Sequence, residues 1–149
     1  MPNIYIDADA CPVKNEVLKV ASRYKLKTIL VSNGGIRPSS DPLVEIVIVS
    51  HGADVADNWI EEQIAQNDIV ITQDILLADR CLKKQAFVIG VAGKEFTQSN
   101  IGYALSMREF NQHLRETGEG GSFNKAFSGK DRSQFLQTLD LMCQKSLKA

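Results

Sequence analysis

The chain has 149 residues, of which 44% are hydrophobic and 23% charged, as in one ordinary globular domain. Its 17 basic and 18 acidic side chains give a formal net charge of −1, so no global basic field points to a nucleic acid or an anionic membrane. No apolar run reaches the roughly 18–20 residues of a membrane span. The three scattered cysteines contain no CxxC pair, which argues against a disulfide framework, a disulfide-linked partner and a structural zinc site.

The N-terminal residues also lack the basic start and apolar stretch of a signal peptide. We therefore expect a cytoplasmic protein without a membrane-spanning segment. The net charge becomes slightly positive towards the C-terminus, because residues 108–149 hold seven Lys and Arg against five Asp and Glu. Four of these basic residues lie in the predicted terminal helices or the loop between them and are candidates for tracking an RNA backbone: Arg108, Arg115, Lys130 and Arg132.

Short apolar runs alternate with amphipathic stretches over the first ninety residues, which predicts strands separated by helices. The predicted strands, in chain order, are residues 3–6, 28–32, 43–50, 68–72 and 87–91. Predicted helices begin near Pro12, which suits a first helical turn, and then span residues 53–65 and 75–84. After residue 92 the pattern changes to two helices at 101–116 and 131–147, separated by a polar loop at 117–130.

This alternation of strands and helices predicts parallel pairing through crossover helices. The expected fold is an α/β, Rossmann-like, doubly wound and mostly parallel sheet of strand order 3-2-1-4-5, with helices on both faces and extra C-terminal helices. We expect a single domain over residues 1–149, with its core at about 1–92 and a C-terminal helical part at about 100–147.

Aspartates fall where these strands end and the next helices begin. In an open α/β sheet such positions meet at the carboxyl edge, where the strand order reverses and ligands bind. With strands one and four as neighbours about 4.8 Å apart, Asp7 and Asp74 are expected side by side. Asp54 and Asp57, which are three residues apart, share one helical face. The candidate metal ligands are Asp7, Asp9, Asp54, Asp57, Asp74 and Asp79.

Converging carboxylates repel one another, and a hard divalent cation relieves that repulsion because Mg²⁺ prefers oxygen ligands. The expected cofactor is therefore Mg²⁺ or Mn²⁺, with Asp7 and Asp74 as the catalytic residues. Such ions can activate a water and stabilise the leaving oxygen in phosphodiester cleavage. A simpler alternative is that Asp9 or Asp54 only caps a helix.

Four further side chains are candidates for binding substrate phosphates. Lys14 lies one turn into the first predicted helix, and Asn33, followed by two glycines, ends the second strand at the same edge. Arg37 follows in that loop, and Arg132 belongs to the mildly basic tail. Such amide and guanidinium donors suit phosphate oxygens, although turn chemistry alone explains Asn-Gly-Gly.

Five stretches along the chain are distinctive when taken together: IYIDADACPVKNEV, GADVADNWI, ITQDILLADRCL, NIGYALSMRE and KDRSQFL. They resemble the YaiI/YqxD family of uncharacterised bacterial proteins. This family is related, in fold and acidic positions, to PIN-like and NYN nuclease domains. The resemblance implies a PIN-like sheet and a metal-dependent ribonuclease site, but brings no established activity.

The resemblance also implies roles for individual acids. Asp7 matches the PIN-type acid that ends the first strand. The segment TQDILLAD is similar to the PIN-type Thr-x-Asp segment, which gives Asp74 and Asp79. Asp54 or Asp57 would stand for the acid that PIN-type domains carry on the central helix.

The sequence thus predicts a metal-dependent phosphodiesterase whose partner is RNA. One alternative is a non-catalytic module that binds RNA or a nucleotide. The other is a haloacid-dehalogenase-like phosphatase, to which the strand followed by Asp-x-Asp is similar. In that enzyme Asp7 would be the phosphorylated nucleophile and Asp9 the general acid and base.

Overall fold

A computed structural model of the chain describes residues 2–8, 11–36, 38–52, 54–116 and 127–149. In chain order the elements are β1 (Asn3–Asp7), α1 (Lys14–Tyr24), β2 (Lys27–Ser32), β3 (Val44–Ile48), α2 (Val55–Gln63), β4 (Ile69–Ile71), α3 (Ile75–Lys83), β5 (Phe87–Ile89), β6 (Glu95–Phe96), α4 (Ile101–Glu116) and α5 (Gly129–Lys148).

One six-stranded sheet has the order β3-β2-β1-β4-β5-β6. The pairs among the first five strands are parallel, and β6 runs antiparallel to β5. The expected α/β fold and the order 3-2-1-4-5 are therefore confirmed. The edge strand β6 was not predicted, because two residues carry no periodic signal.

The sheet is covered on both faces because successive side chains of a strand point to opposite sides. Ile4 and Ile6 of β1 join one hydrophobic cluster, in which α1 and α5 supply Val17 and Phe135. Tyr5 joins the opposite cluster, in which α2, α3 and α4 take part. The two C-terminal helices thus complete different layers, α5 beside α1 and α4 beside α3.

Several boundaries differ from the predictions. Helix α1 begins at Lys14, whereas Pro12 lies in the preceding turn. Strand β4 spans Ile69–Ile71 and is one residue shorter at each end than predicted. Buried Asp68 accepts from the Asn3 and Ala65 amides at 2.9 and 3.0 Å, which ties β1 to the turn before β4.

All three cysteines, Cys11, Cys81 and Cys143, are buried free thiols.

Within the described ranges, none of the helices combines the length and apolar character needed to cross a bilayer. Trp59 of α2 packs towards the sheet, where its ring lies 6.2 Å from that of Tyr5.

Candidate active site

The carboxyl ends of β1 and β4 place Asp7 opposite Thr72. Ile6 pairs with Ile71 in the parallel register, so the next residue of each strand continues to the same edge. The Thr72 hydroxyl donates to Asp7 Oδ2 at 3.4 Å and accepts from the Asp74 amide at 3.0 Å. One threonine side chain therefore connects the segments that carry the two predicted catalytic acids.

Asp74 is held in place by the helix that follows it. It is the N-cap of α3, and its Oδ1 accepts from the amides of Leu76 at 2.9 Å and Leu77 at 3.2 Å. These bonds satisfy amides that the helix itself leaves without partners. Helix capping therefore fixes the orientation of this carboxylate at the sheet edge.

The start of α2 contributes two more acids. Asp57 lies in the first turn of α2. Asp54 occupies the N-cap position, but its side chain accepts no capping hydrogen bond. The backbone of Asp54 is left-handed, with φ 68°, a conformation that is uncommon outside glycine. The alternative that Asp54 serves as a side-chain helix cap is therefore wrong in this structure.

Electrostatics show that these acids share one neighbourhood. The pKa of Asp57 is raised from its ordinary 3.8 to about 7, chiefly by burial and then by a hydrogen bond with Asp74. The negative charges of Asp74, Asp7 and Asp54 raise this pKa further, in that order. At neutral pH Asp57 is thus partly protonated.

The remaining predicted metal ligands are placed differently. Asp79 lies further along α3, where Lys83 Nζ approaches Asp79 Oδ2 to 3.2 Å. Its charge is not among the main causes of the raised Asp57 pKa. Asp9 lies outside the described residues. The structure therefore brings together Asp7, Asp54, Asp57 and Asp74.

The candidate phosphate-binding residues are more scattered. Lys14 begins α1, and Asn33 is an exposed residue that follows β2. Arg37 lies outside the described residues. Arg132 of α5 forms an ion pair with Glu16 of α1 at 3.1 Å, so its guanidinium already has an acidic partner.

Lys14 nevertheless lies near the same edge as Asp7. The charges of both side chains act on the pKa of Cys11. Burial raises the pKa of the Cys11 thiol, the positive charge of Lys14 lowers it, and Asp7 raises it. A buried thiol with a raised pKa is a poor nucleophile at neutral pH. Cys11 is therefore best explained as a core residue.

A cavity of about 370 Å³, the acidic cavity, opens at this edge. Its lining comprises Asp7, Thr72, Gln73, Asp74, Ile75, Val91 and Arg108. The half-buried Arg108 comes from α4, so the structure sets a guanidinium beside two of the acids. Among the described residues, Arg108 has no salt-bridge partner.

In the sequence, Arg108 stands out only as one of several basic residues in the C-terminal part. A stronger signal was present in its helical spacing. Arg108 is four residues after Ala104 and seven after Ile101, and both of these are buried. Positions i, i+3 and i+7 share one face of a helix, so Arg108 was predictable as the residue that extends the inward face of α4.

The donor atoms suit a hard divalent cation in part. In the described part of the chain, no three His, Cys, Asp or Glu side chains are arranged to hold one metal ion. Mg²⁺ is commonly bound by only one or two carboxylates, with waters and substrate phosphates as its other ligands. The neighbouring carboxyls of Asp57 and Asp74 fit that mode of binding.

The fold and this edge define a doubly wound α/β protein that gathers acids between β1 and β4, where its strand order reverses. Within that class, the chain belongs to a family of uncharacterised bacterial proteins. The family model described as "Uncharacterized BCR, YaiI/YqxD family" matches residues 5–145, which confirms the resemblance seen in the sequence.

Relatives cover almost the whole chain. A UPF0178 protein of Agrobacterium fabrum is 58% identical over 144 residues, which are 97% of this chain and 94% of the relative. A UPF0178 protein of Rhizobium etli is 54% identical over 143 residues, with 96% and 92% covered. No solved structure matches the chain.

Proposed function

We propose that this protein is a metal-dependent phosphodiesterase that acts on RNA. The observation that carries the proposal is the group of acids at the sheet edge, where burial and the neighbouring carboxyls of Asp74, Asp7 and Asp54 raise the pKa of Asp57 to about 7. A divalent cation in place of the Asp57 proton would compensate more of the negative charge. The choice of RNA rests on the resemblance to PIN-like and NYN domains.

Asp57 and Asp74 would hold the metal, which is Mg²⁺ or Mn²⁺. When bound, such an ion lowers the pKa of a water and stabilises negative charge on a leaving oxygen. Asp7 lines the same cavity as Asp74, and the Thr72 hydroxyl orients its carboxylate. Asp7 is therefore the group proposed to accept the proton of the attacking water.

Arg108 would bind the phosphate on the other side of this cavity. Its guanidinium presents paired N–H donors that match two phosphate oxygens. A cation there also offsets the repulsion between the acids and an anionic substrate. The acidic cavity thus combines a proton acceptor, oxygen ligands for a cation and a donor for the phosphate.

The test is cleavage of end-labelled RNA by the purified protein in Mn²⁺. Asp57→Asn and Asp74→Asn should each lose activity by about 100-fold or more. Asparagine still caps a helix, so Asp74→Asn keeps the start of α3 intact. Asp79→Asn is the matched control, because Asp79 is an acid of the same helix that is ion-paired with Lys83, and its activity should stay within about twofold.

Cleavage that persists undiminished in both site variants would overturn the proposal. RNA binding that survives a chelator, without any cleavage in Mn²⁺ or Mg²⁺, would instead identify a non-catalytic RNA-binding module.

A further inference from the structure

A second and larger opening adjoins the acidic cavity. This side cavity has a volume of about 610 Å³ and lies between the β5–β6 turn, α4 and the start of α5. Four residues line both cavities: Gln73, Ile75, Val91 and Arg108. The two cavities therefore adjoin, and one ligand can contact both.

The two cavities differ in chemistry. The acidic cavity contains Asp7 and Asp74, whereas the side cavity is lined largely by apolar and aromatic groups. Phe96 and Phe127 form part of its wall, and α4 adds Tyr103 and Met107. Tyr103 is 69% exposed, so one flat ring stands open to solvent at the cavity.

Polar groups at the side cavity suit a ligand that is flat, apolar on its faces and polar at its edges. Lys94 and Arg108 supply cations. The Lys94 ammonium lies 5.7 Å from the centre of the Phe96 ring. Gln73 and Asn111 supply amides that both donate and accept. Asp131 also lines the cavity, and its carboxylate accepts from the Ser128 amide at the start of α5.

We propose that the side cavity binds the nucleobase of the nucleotide whose phosphate lies at Arg108 in the acidic cavity. The inference rests on the proposed function for its class of ligand, and it adds where the base lies and which ring it contacts. The volume is within the range of about 300–1,000 Å³ that small-ligand sites occupy. The base stacks on Tyr103, and stacking on an aromatic ring is tolerant of base identity.

The site therefore recognises a single-stranded nucleotide whose base is free to leave a stack. A base inside a duplex has both faces covered and cannot present one to Tyr103. The expected ligand class is a single-stranded nucleic acid, recognised through one base beside the phosphate at the acidic cavity.

The test measures binding without cleavage, by calorimetry in Mg²⁺. The probes are the four ribonucleoside 5′-monophosphates and ribose 5-phosphate, which has the same sugar and phosphate but no base. None contains a phosphodiester bond, so none is a substrate of the proposed reaction. At least one nucleotide should bind about tenfold more tightly than ribose 5-phosphate.

Tyr103→Ala should abolish that difference and leave the affinity for ribose 5-phosphate unchanged. Phe110→Ala is the matched control, because Phe110 is another exposed aromatic residue of α4, 54% accessible, that is not part of the side cavity. This variant should bind every probe as the unmodified protein does.

Equal affinities for the nucleotides and ribose 5-phosphate would overturn the base site, and so would a Tyr103→Ala variant that behaves like Phe110→Ala. Absence of nucleotide binding would do the same. Base-dependent binding through Tyr103 in a protein that cleaves no RNA would support the base site and contradict the proposed activity, so the two failures are distinguishable.

Discussion

Asp57, in the first turn of α2, and Asp74, the N-cap of α3, lie close enough together for the Asp74 carboxyl to raise the pKa of Asp57. Protonation of Asp57 relieves the repulsion that two ionised carboxylates would otherwise experience there. Burial and three neighbouring acids raise the pKa of Asp57 to about 7, so this proton is retained well above the pH at which an exposed aspartate loses it. The ionisation of Asp57 therefore couples the stability of the protein to the pH of the solution and to any cation that binds at the sheet edge.

The first prediction concerns stability against pH without metal. The unfolded Asp57 loses its proton near its ordinary pKa of 3.8, and the folded one near 7. Between these values the folded state binds the additional proton, so the contribution of Asp57 to stability falls as pH rises through this window. We expect a loss of about 1–2 kcal/mol, since solvent partly screens a half-buried carboxyl.

Urea unfolding in a chelator between pH 4 and pH 8 measures this loss. Asp57→Asn should show a shallower decline and be more stable than the unmodified protein above pH 7. Asp79→Asn should follow the unmodified protein, because Asp79 pairs with Lys83. Parallel curves for the unmodified protein and Asp57→Asn would contradict the raised pKa.

The second prediction concerns stabilisation by Mg²⁺ or Mn²⁺. A cation that binds through Asp57 and Asp74 must displace the proton that Asp57 retains below about pH 7, so binding should strengthen as pH rises. At a free metal concentration of 100 times Kd, the folded state gains about 2.7 kcal/mol. Thermal unfolding should therefore show a larger increase in Tm with metal at pH 8 than at pH 6.

Both Asp57→Asn and Asp74→Asn should lose most of this metal-induced increase in Tm. Asp79→Asn should keep it. An increase in Tm that is the same at pH 6 and pH 8 would show that the cation binds elsewhere.

The third prediction concerns Arg108, which lines both cavities. Arg108→Ala should weaken RNA binding by about tenfold or more, because a charge-assisted hydrogen bond to phosphate is lost. Arg108→Lys should restore part of the affinity, since it keeps the charge without the paired donors. Fluorescence anisotropy with labelled RNA measures both.

Lys130→Ala is the control for charge alone, because Lys130 is an exposed cation of α5. It should weaken RNA binding by about twofold or less. The metal-induced increase in Tm should be unchanged in Arg108→Ala. Equal losses in Arg108→Ala and Lys130→Ala would indicate a general charge effect and contradict a specific phosphate contact.

Much of this architecture was predictable from local patterns. β-branched runs separated by amphipathic helices predict a doubly wound sheet, and the order of such sheets places β1 beside β4. That adjacency alone predicts that Asp7 and the segment before Asp74 meet at one edge. The antiparallel β6 escaped prediction because Glu95–Phe96 is too short for any periodicity.

The contacts between side chains were not predictable, because they depend on how helices pack. The approach of Asp57 to Asp74 requires α2 and α3 to lie side by side on one face. The left-handed backbone of Asp54 was not predictable either, because an aspartate before a helix equally well indicates a side-chain cap. Arg108 reaches the acidic cavity because α4 packs beside α3. No pattern in the sequence predicts that these two helices pack together.

The fourth prediction concerns Gly93, in the turn between β5 and β6. Its φ is +90°, and a Cβ there would lie 2.7 Å from the backbone carbonyl carbon of Gln134 and 2.8 Å from the amide nitrogen of Phe135. Those atoms belong to the backbone of α5 and cannot rotate away. Gly93→Ala should therefore push α5 off the sheet and expose part of Phe135, which is fully buried.

We expect a loss of about 2–3 kcal/mol, from overpacking and an unfavourable left-handed backbone, measured by urea unfolding. Gly102→Ala is the matched control, because Gly102 lies in α4 and a Cβ there meets nothing within 4 Å. Alanine stabilises a helix relative to glycine, so that variant should gain about 0.5–1 kcal/mol. Equal stability of the two variants would contradict a steric conflict between a side chain at position 93 and the α5 backbone.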